Sequence, residues 1–71
     1  MAIIKNVEIN SCFITLGQFL KLIDLISSGG EFKSFIEENE IFVNDVKEDR
    51  RGRKLFKLDI IKINNETYKI C

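Results

Sequence analysis

Apolar and polar positions alternate at the start of the chain, with Ile3, Lys5, Val7 and Ile9 set against Ile4, Asn6, Glu8 and Asn10. A mostly apolar odd face predicts a half-buried strand, closed by a turn at Asn10-Ser11. From Leu16 the period changes. Leu16, Phe19, Leu20, Ile23 and Ile26 recur at helical spacing, and Leu22 and Leu25 widen the stripe, so the helix they predict is covered on more than one side. Lys21 and Asp24 are left facing water. Thr15 and Gln18 form a capping box at its start, and Ser27-Ser28-Gly29-Gly30 ends it. Ser28 with Glu31 repeats the box and opens a second helix. That helix turns Phe32, Phe35 and Ile36 inward and Lys33 outward, and it ends at Asn39 in a left-handed conformation.

The remainder reads as short strands. Ile41 and Val43 share one face of a Glu40–Asn44 strand, with Phe42 on the other. Leu55 and Phe56 return the chain to the core, and Lys57-Leu58-Asp59 is a turn. Ile60–Ile63 and Glu66–Ile70 form a hairpin through Asn64-Asn65, with Tyr68 and Ile70 inward. The expected fold is α+β, with two packed helices against a small, mainly antiparallel sheet, and residues 1–71 form one domain. A 71-residue chain buries only about 60% of its unfolded surface, so a thin stability margin is expected.

Charge changes this picture more than composition does. The formal net charge is zero, yet its distribution is uneven. Seven acidic residues and two lysines lie between Glu31 and Asp49, whereas Arg50–Lys57 holds five basic residues and no acid. Arg50, Arg51, Arg53 and Lys54, broken only by Gly52, predict a compact cationic loop. Guanidinium forks so closely spaced suit a run of phosphates. The alternative is a solvated loop that only aids solubility.

Other chemistry is thin. The chain has no His, and Cys12 and Cys71 have no partners at metal-ligand spacing. The common zinc sites, nucleophilic triads and imidazole acid–base chemistry are therefore not expected, and neither is a cofactor. Cys12 reads as a reduced core residue and Cys71 as a terminal thiol. No apolar run is long enough to span a bilayer and no leader resembles a signal peptide, so a cytoplasmic, monomeric protein without membrane contact is expected. The glycines before the second helix could serve an anion at its N-terminus. A conformational role in a helix–helix turn is the simpler reading.

The segment from Ser28 to Asp45, followed by Asp59, resembles the S4 RNA-binding domain found in a small-subunit ribosomal protein, pseudouridine synthases and tyrosyl-tRNA synthetases. Asn39–Asp45 is similar to that family's Gly-x-Val-x-Val-Asn-Gly, Leu16 and Leu20 fit its first-helix leucines, and Phe35-Ile36 fits the pair that closes its second helix. Leu58-Asp59 stands where the family usually has Gly-Asp. A closer likeness is to the small stand-alone YaaA-like S4 proteins of Gram-positive bacteria. It is carried by Ile14–Lys21, Ser28-Gly29-Gly30, Val43-Asn44-Asp45 and Arg50–Leu55.

The resemblance implies an S4 fold of αL type and a non-catalytic RNA-binding role. Structured ribosomal RNA is the implied partner, with tRNA as another candidate, in connection with assembly of the large ribosomal subunit. Residues expected at the RNA are Lys33, Arg50, Arg51, Arg53 and Lys54, flanked by Lys21 and Lys47. Gln18 and Asn44 are candidate donors to sugar or phosphate, with helix capping and turn stabilisation as their competing roles. Thr15 and Gly17 replace the family's Arg and Asp, Gly29 stands where its Ser-Arg pair places an arginine, and Phe32 replaces a small residue. The Arg50–Lys54 loop is the candidate source of the missing charge. The other function class open to the sequence is a protein-interaction adaptor in ribosome or replication and repair complexes, using Glu37, Glu38 and Glu40.

Overall fold

A computed structural model describes residues 3–71. The elements are β1 (Ile4–Val7), β2 (Phe13–Thr15), α1 (Leu16–Leu22), a 3₁₀ turn (Gly29–Glu31), α2 (Phe32–Glu38), β3 (Ile41–Val43), β4 (Val46–Lys47), β5 (Lys54–Phe56), β6 (Ile60–Ile63) and β7 (Glu66–Ile70). A five-stranded sheet runs β1-β7-β6-β3-β4, and β2 and β5 form a separate antiparallel ribbon. Every pairing is antiparallel except β1 with β7. The α+β expectation holds.

The core lies between the helices and one face of the larger sheet. Leu16, Phe19 and Leu20 from α1 and Phe32 from α2 meet Ile41, Val43, Ile61, Ile63, Tyr68 and Ile70. Phe19 and Tyr68 pack edge to face with ring centroids 5.6 Å apart, the orientation the aromatic quadrupole favours. Leu55, fully buried on β5, joins the ribbon to this core.

α1 is shorter than its apolar stripe suggests. It ends at Leu22, with Asp24 in the left-handed region at φ 65°. The Asp24 amide donates to Lys21 O and the Leu25 amide to Leu20 O, the paired bonds of a Schellman motif. Asp tolerates this φ better than most residues, and the turn lets Ile26 double back into the core. Leu22 and Leu25 are consequently exposed rather than covered.

Other local expectations are corrected. The Ser28–Glu31 capping box does not form. Ser28 makes no side-chain cap, and the Glu31 carboxylate instead accepts from the Ser27 amide at 3.2 Å. Asn39 is extended rather than left-handed, because it feeds straight into β3. Its side-chain amide still caps the helix by donating to Phe35 O at 3.0 Å, and its oxygen accepts from Asn64 Nδ2 at 2.7 Å. Ile3 and Ile4 are exposed, so only the Val7 and Ile9 end of the first strand's apolar face is used. Phe56, on the outer face of the β2–β5 ribbon, and Cys12, just before β2, are also exposed.

Two turns bear on the site. Asn44 (φ 51°) and Asp45 (φ 70°) form the tight β3–β4 turn, where two consecutive positive φ values match the twist of the flanking strands. Leu58 is at φ 78° in the β5–β6 turn, held by its amide's bond to Ile70 O at 2.7 Å.

Candidate nucleic-acid interface

The basic segment is docked onto the start of α1. A helix leaves its first amides without internal partners. Here the Leu16 amide donates to Arg53 O at 2.8 Å and the Gly17 amide to Arg51 O at 3.0 Å. The third, Gln18, donates to Thr15 Oγ1, while Gln18 Oε1 accepts from the Thr15 amide, so the predicted capping box is present. The Arg50–Arg53 stretch closes on itself through the bond from the Arg53 amide to Arg50 O. Main-chain bonds to a helix terminus thus fix the loop in place.

A second anchor comes from a residue whose role the charge count hides. Glu48 is only 6% exposed. Its carboxylate accepts from Arg50 Nε (2.9 Å), Arg50 Nη2 (3.1 Å) and Arg53 Nη1 (2.7 Å), and from the amides of Asp49 and Arg50. The Arg50 fork, opposed by burial and helped by Arg53, brings its pKa down to about 2. A buried carboxylate with five donors is a fixed internal anion. Arg50 and Arg53 are therefore partly committed to holding the loop together. An acid two and five positions before the arginines was the available signal.

Arg51 is placed differently. Its side chain crosses Gly17 so closely that a Cβ there would meet Arg51 Cγ at 2.6 Å. Its guanidinium then extends toward the second-helix entry, where Nη1 is 3.6 Å from the position a Cβ on Gly29 would occupy. Gly17 clears the path of this arginine, whereas a side chain at Gly29 would only touch its tip at ordinary contact distance. Depressions lie on both sides of it. One, of about 310 Å³, is lined by Gln18, Lys21, Gly29 and Arg51 among others. The other, of about 380 Å³, includes Gly30, Lys33, Asp49 and Arg51. Among the described residues, Lys21, Lys33, Arg51 and Lys54 form no ion pair.

The remaining candidates separate from this cluster. Lys54 lies on β5 with Nζ 4.9 Å from the centre of the Phe13 ring. Lys47 sits on edge strand β4 opposite Phe42 and lines neither depression beside Arg51. The Asn44 side chain is used internally. Its Nδ2 donates to Asp59 Oδ1 at 3.1 Å and its Oδ1 accepts from the Ile60 amide at 3.0 Å, tying the β3–β4 turn to the start of β6. Of the nine sequence candidates, the structure brings Gln18, Lys21, Lys33 and Arg51 together, and adds Gly17 as the residue that admits Arg51.

No helix among the described residues is long and apolar enough to cross a membrane. No group of His, Cys, Asp and Glu among them has the makings of a metal site. No solved structure matches the chain significantly. The probable ribosome maturation protein RlbA of Bacillus subtilis (strain 168), formerly called YaaA, is 53% identical over 57 residues, covering 80% of each chain. The profile of the S4 domain matches residues 7–71, the whole of the fold from the end of β1 onward, and this chain belongs to the S4 domain family.

Proposed function

We propose that this chain is a non-catalytic RNA-binding module that engages structured ribosomal RNA in the cytoplasm during maturation of the large ribosomal subunit. The observation that carries this reading is the position of Arg51. Its guanidinium comes to Gly29, the place where the resemblance to the wider family calls for an arginine on the chain itself. With Lys21 and Lys33 it offers three cations that form no ion pair among the described residues, Asp49 being the one acid that lines the depressions beside Arg51. Such a surface suits the phosphates of folded RNA, read by shape because duplex RNA hides its base edges in a deep, narrow groove. The name of the Bacillus subtilis relative, a probable ribosome maturation protein, supports the ribosomal assignment. Within the described residues nothing pairs a nucleophile with a base, which favours binding over catalysis.

The test is sedimentation of the protein with ribosomal subunits at low and moderate salt, against a Lys21→Gln, Lys33→Gln, Arg51→Gln variant with its fold checked by circular dichroism. These positions are preferable to Arg50 and Arg53, whose loss would release Glu48 and damage the loop itself. Wild type travelling with the large subunit, and the folded variant remaining at the top, is the expected result. Equal sedimentation of both would remove the cluster from the reading. A complex that survives nuclease would point to a protein partner instead.

A further inference from the structure

We propose that the outer face of the β2–β5 ribbon is a stacking platform for unpaired bases of the bound RNA, a refinement that rests on the RNA-binding reading above. The ribbon alternates strictly. Ile14 and Leu55, paired across it, turn toward the core, which sends the pairs Phe13–Phe56 and Thr15–Lys54 to the opposite side. Two phenylalanines therefore stand together on the surface, 37% and 48% exposed, with ring centres 5.8 Å apart and planes inclined at 49°. The inclination leaves ring area uncovered by the other ring.

The surroundings favour a nucleotide over an apolar protein segment. Phe13 borders a largely apolar depression whose one charged lining residue is Lys21. Phe56 borders another, lined also by Arg50, Gly52, Arg53 and Lys54. Every charged side chain lining either depression is cationic. Lys54 covers part of the Phe13 ring and has no acidic partner among the described residues. It can move to a phosphate while a base takes its place over the ring. Aromatic rings beside backbone-tracking cations are the arrangement by which single-stranded nucleic acid is held, because every base has a flat face to offer. Bases inside a continuous duplex are already stacked on one another, so the platform selects loops, bulges or ends.

The discriminating variant is Phe13→Leu, Phe56→Leu, which keeps apolar cross-strand packing and removes the flat rings. An RNA hairpin with a fluorescent adenine analogue in its loop, and a continuous duplex of the same stem, are each titrated with the wild type, this variant and the Lys21→Gln, Lys33→Gln, Arg51→Gln variant. Wild type is expected to bind the hairpin about tenfold tighter than the duplex and to quench the loop fluorophore, from the loss typical of one stacked base. The leucine variant is expected to bind both RNAs with the duplex affinity and without quenching. Equal wild-type affinity for the two RNAs, or a leucine variant that retains the preference, would overturn the proposal while leaving cationic binding intact. Failure of wild type to bind either RNA would instead overturn the RNA reading itself. A leucine variant that holds the hairpin normally but falls away from ribosomal particles would assign this face to a protein contact and refute stacking.

Discussion

Replacing Glu48 with glutamine removes the anion at the centre of the basic loop while preserving its shape. The wild-type carboxylate gathers five donors, three of them from guanidinium groups. The glutamine amide must turn one NH₂ toward those donors. A pKa brought from the ordinary 4.5 down to about 2 is worth about 3 kcal/mol at neutral pH before solvent screening. Arg50, which supplies the largest part, has a side chain 72% exposed, and solvent screens that contribution. A loss of about 2 kcal/mol is therefore expected, a drop in Tm of roughly 10 °C for a domain of this size. The pH dependence has a definite sign. The unfolded chain takes up the proton first as pH falls, so the carboxylate's contribution is complete above about pH 4.5 and is lost as pH drops toward 2. Urea unfolding of both proteins between pH 7 and 2.5 measures this. A constant difference above pH 5 that shrinks under acid is expected. A difference under about 0.5 kcal/mol at pH 7 would mean that these contacts behave as ordinary surface ion pairs.

Three further substitutions probe the surrounding geometry. Gly17→Ala should destabilise by about 1 kcal/mol, reversing the usual helical gain of alanine over glycine, because its Cβ meets Arg51 Cγ; thermal unfolding that shows stabilisation would remove Arg51 from that path. Asn44→Ala should cost about 2 kcal/mol in urea unfolding through two lost side-chain bonds at a positive φ, while leaving the RNA affinity of the folded protein unchanged; a weakened affinity in the folded variant would place Asn44 at the RNA. Leu58→Gly should stabilise by roughly 0.5–1 kcal/mol, since a 70%-exposed leucine at φ 78° gives up little burial and sheds left-handed strain. A lower Tm for that variant would show that the turn is unstrained.

Much of the fold was legible because periodicity and turn chemistry agreed. The Thr15–Gln18 capping box, the inward Ile41 and Val43, and the Asn64-Asn65 hairpin are all local signals that tertiary packing did not override. The misses in burial share a cause, which is that apolarity alone does not say which side of an element faces the core. Leu22, Leu25 and Phe56 are as apolar as their buried neighbours, and only the register of β2 with β5 and the early end of α1 turn them outward. The Ser28–Glu31 box satisfied a spacing rule, but the chain passes two glycines in a 3₁₀ turn and Glu31 caps a different amide.

The site was half legible. The clustering of basic residues pointed to the right loop, but counting charges treated its arginines as equivalent. Their difference is three-dimensional. Glu48 faces Arg50 and Arg53 because the loop closes on itself, and Arg51 escapes because Gly17 leaves it room. Gly17 lies far from the loop in sequence.

The salt dependence of binding to a structured ribosomal RNA fragment tests the central claim most directly. Lys21, Lys33, Arg51 and Lys54 as four phosphate contacts give an expected log–log slope of roughly −3 to −4 for the wild type. Changing Lys21, Lys33 and Arg51 to glutamine should reduce its magnitude by about 2 to 3 and weaken binding at every salt concentration. An unchanged slope in the folded variant, or wild-type binding that ignores salt, would contradict the assignment of these cations to the RNA.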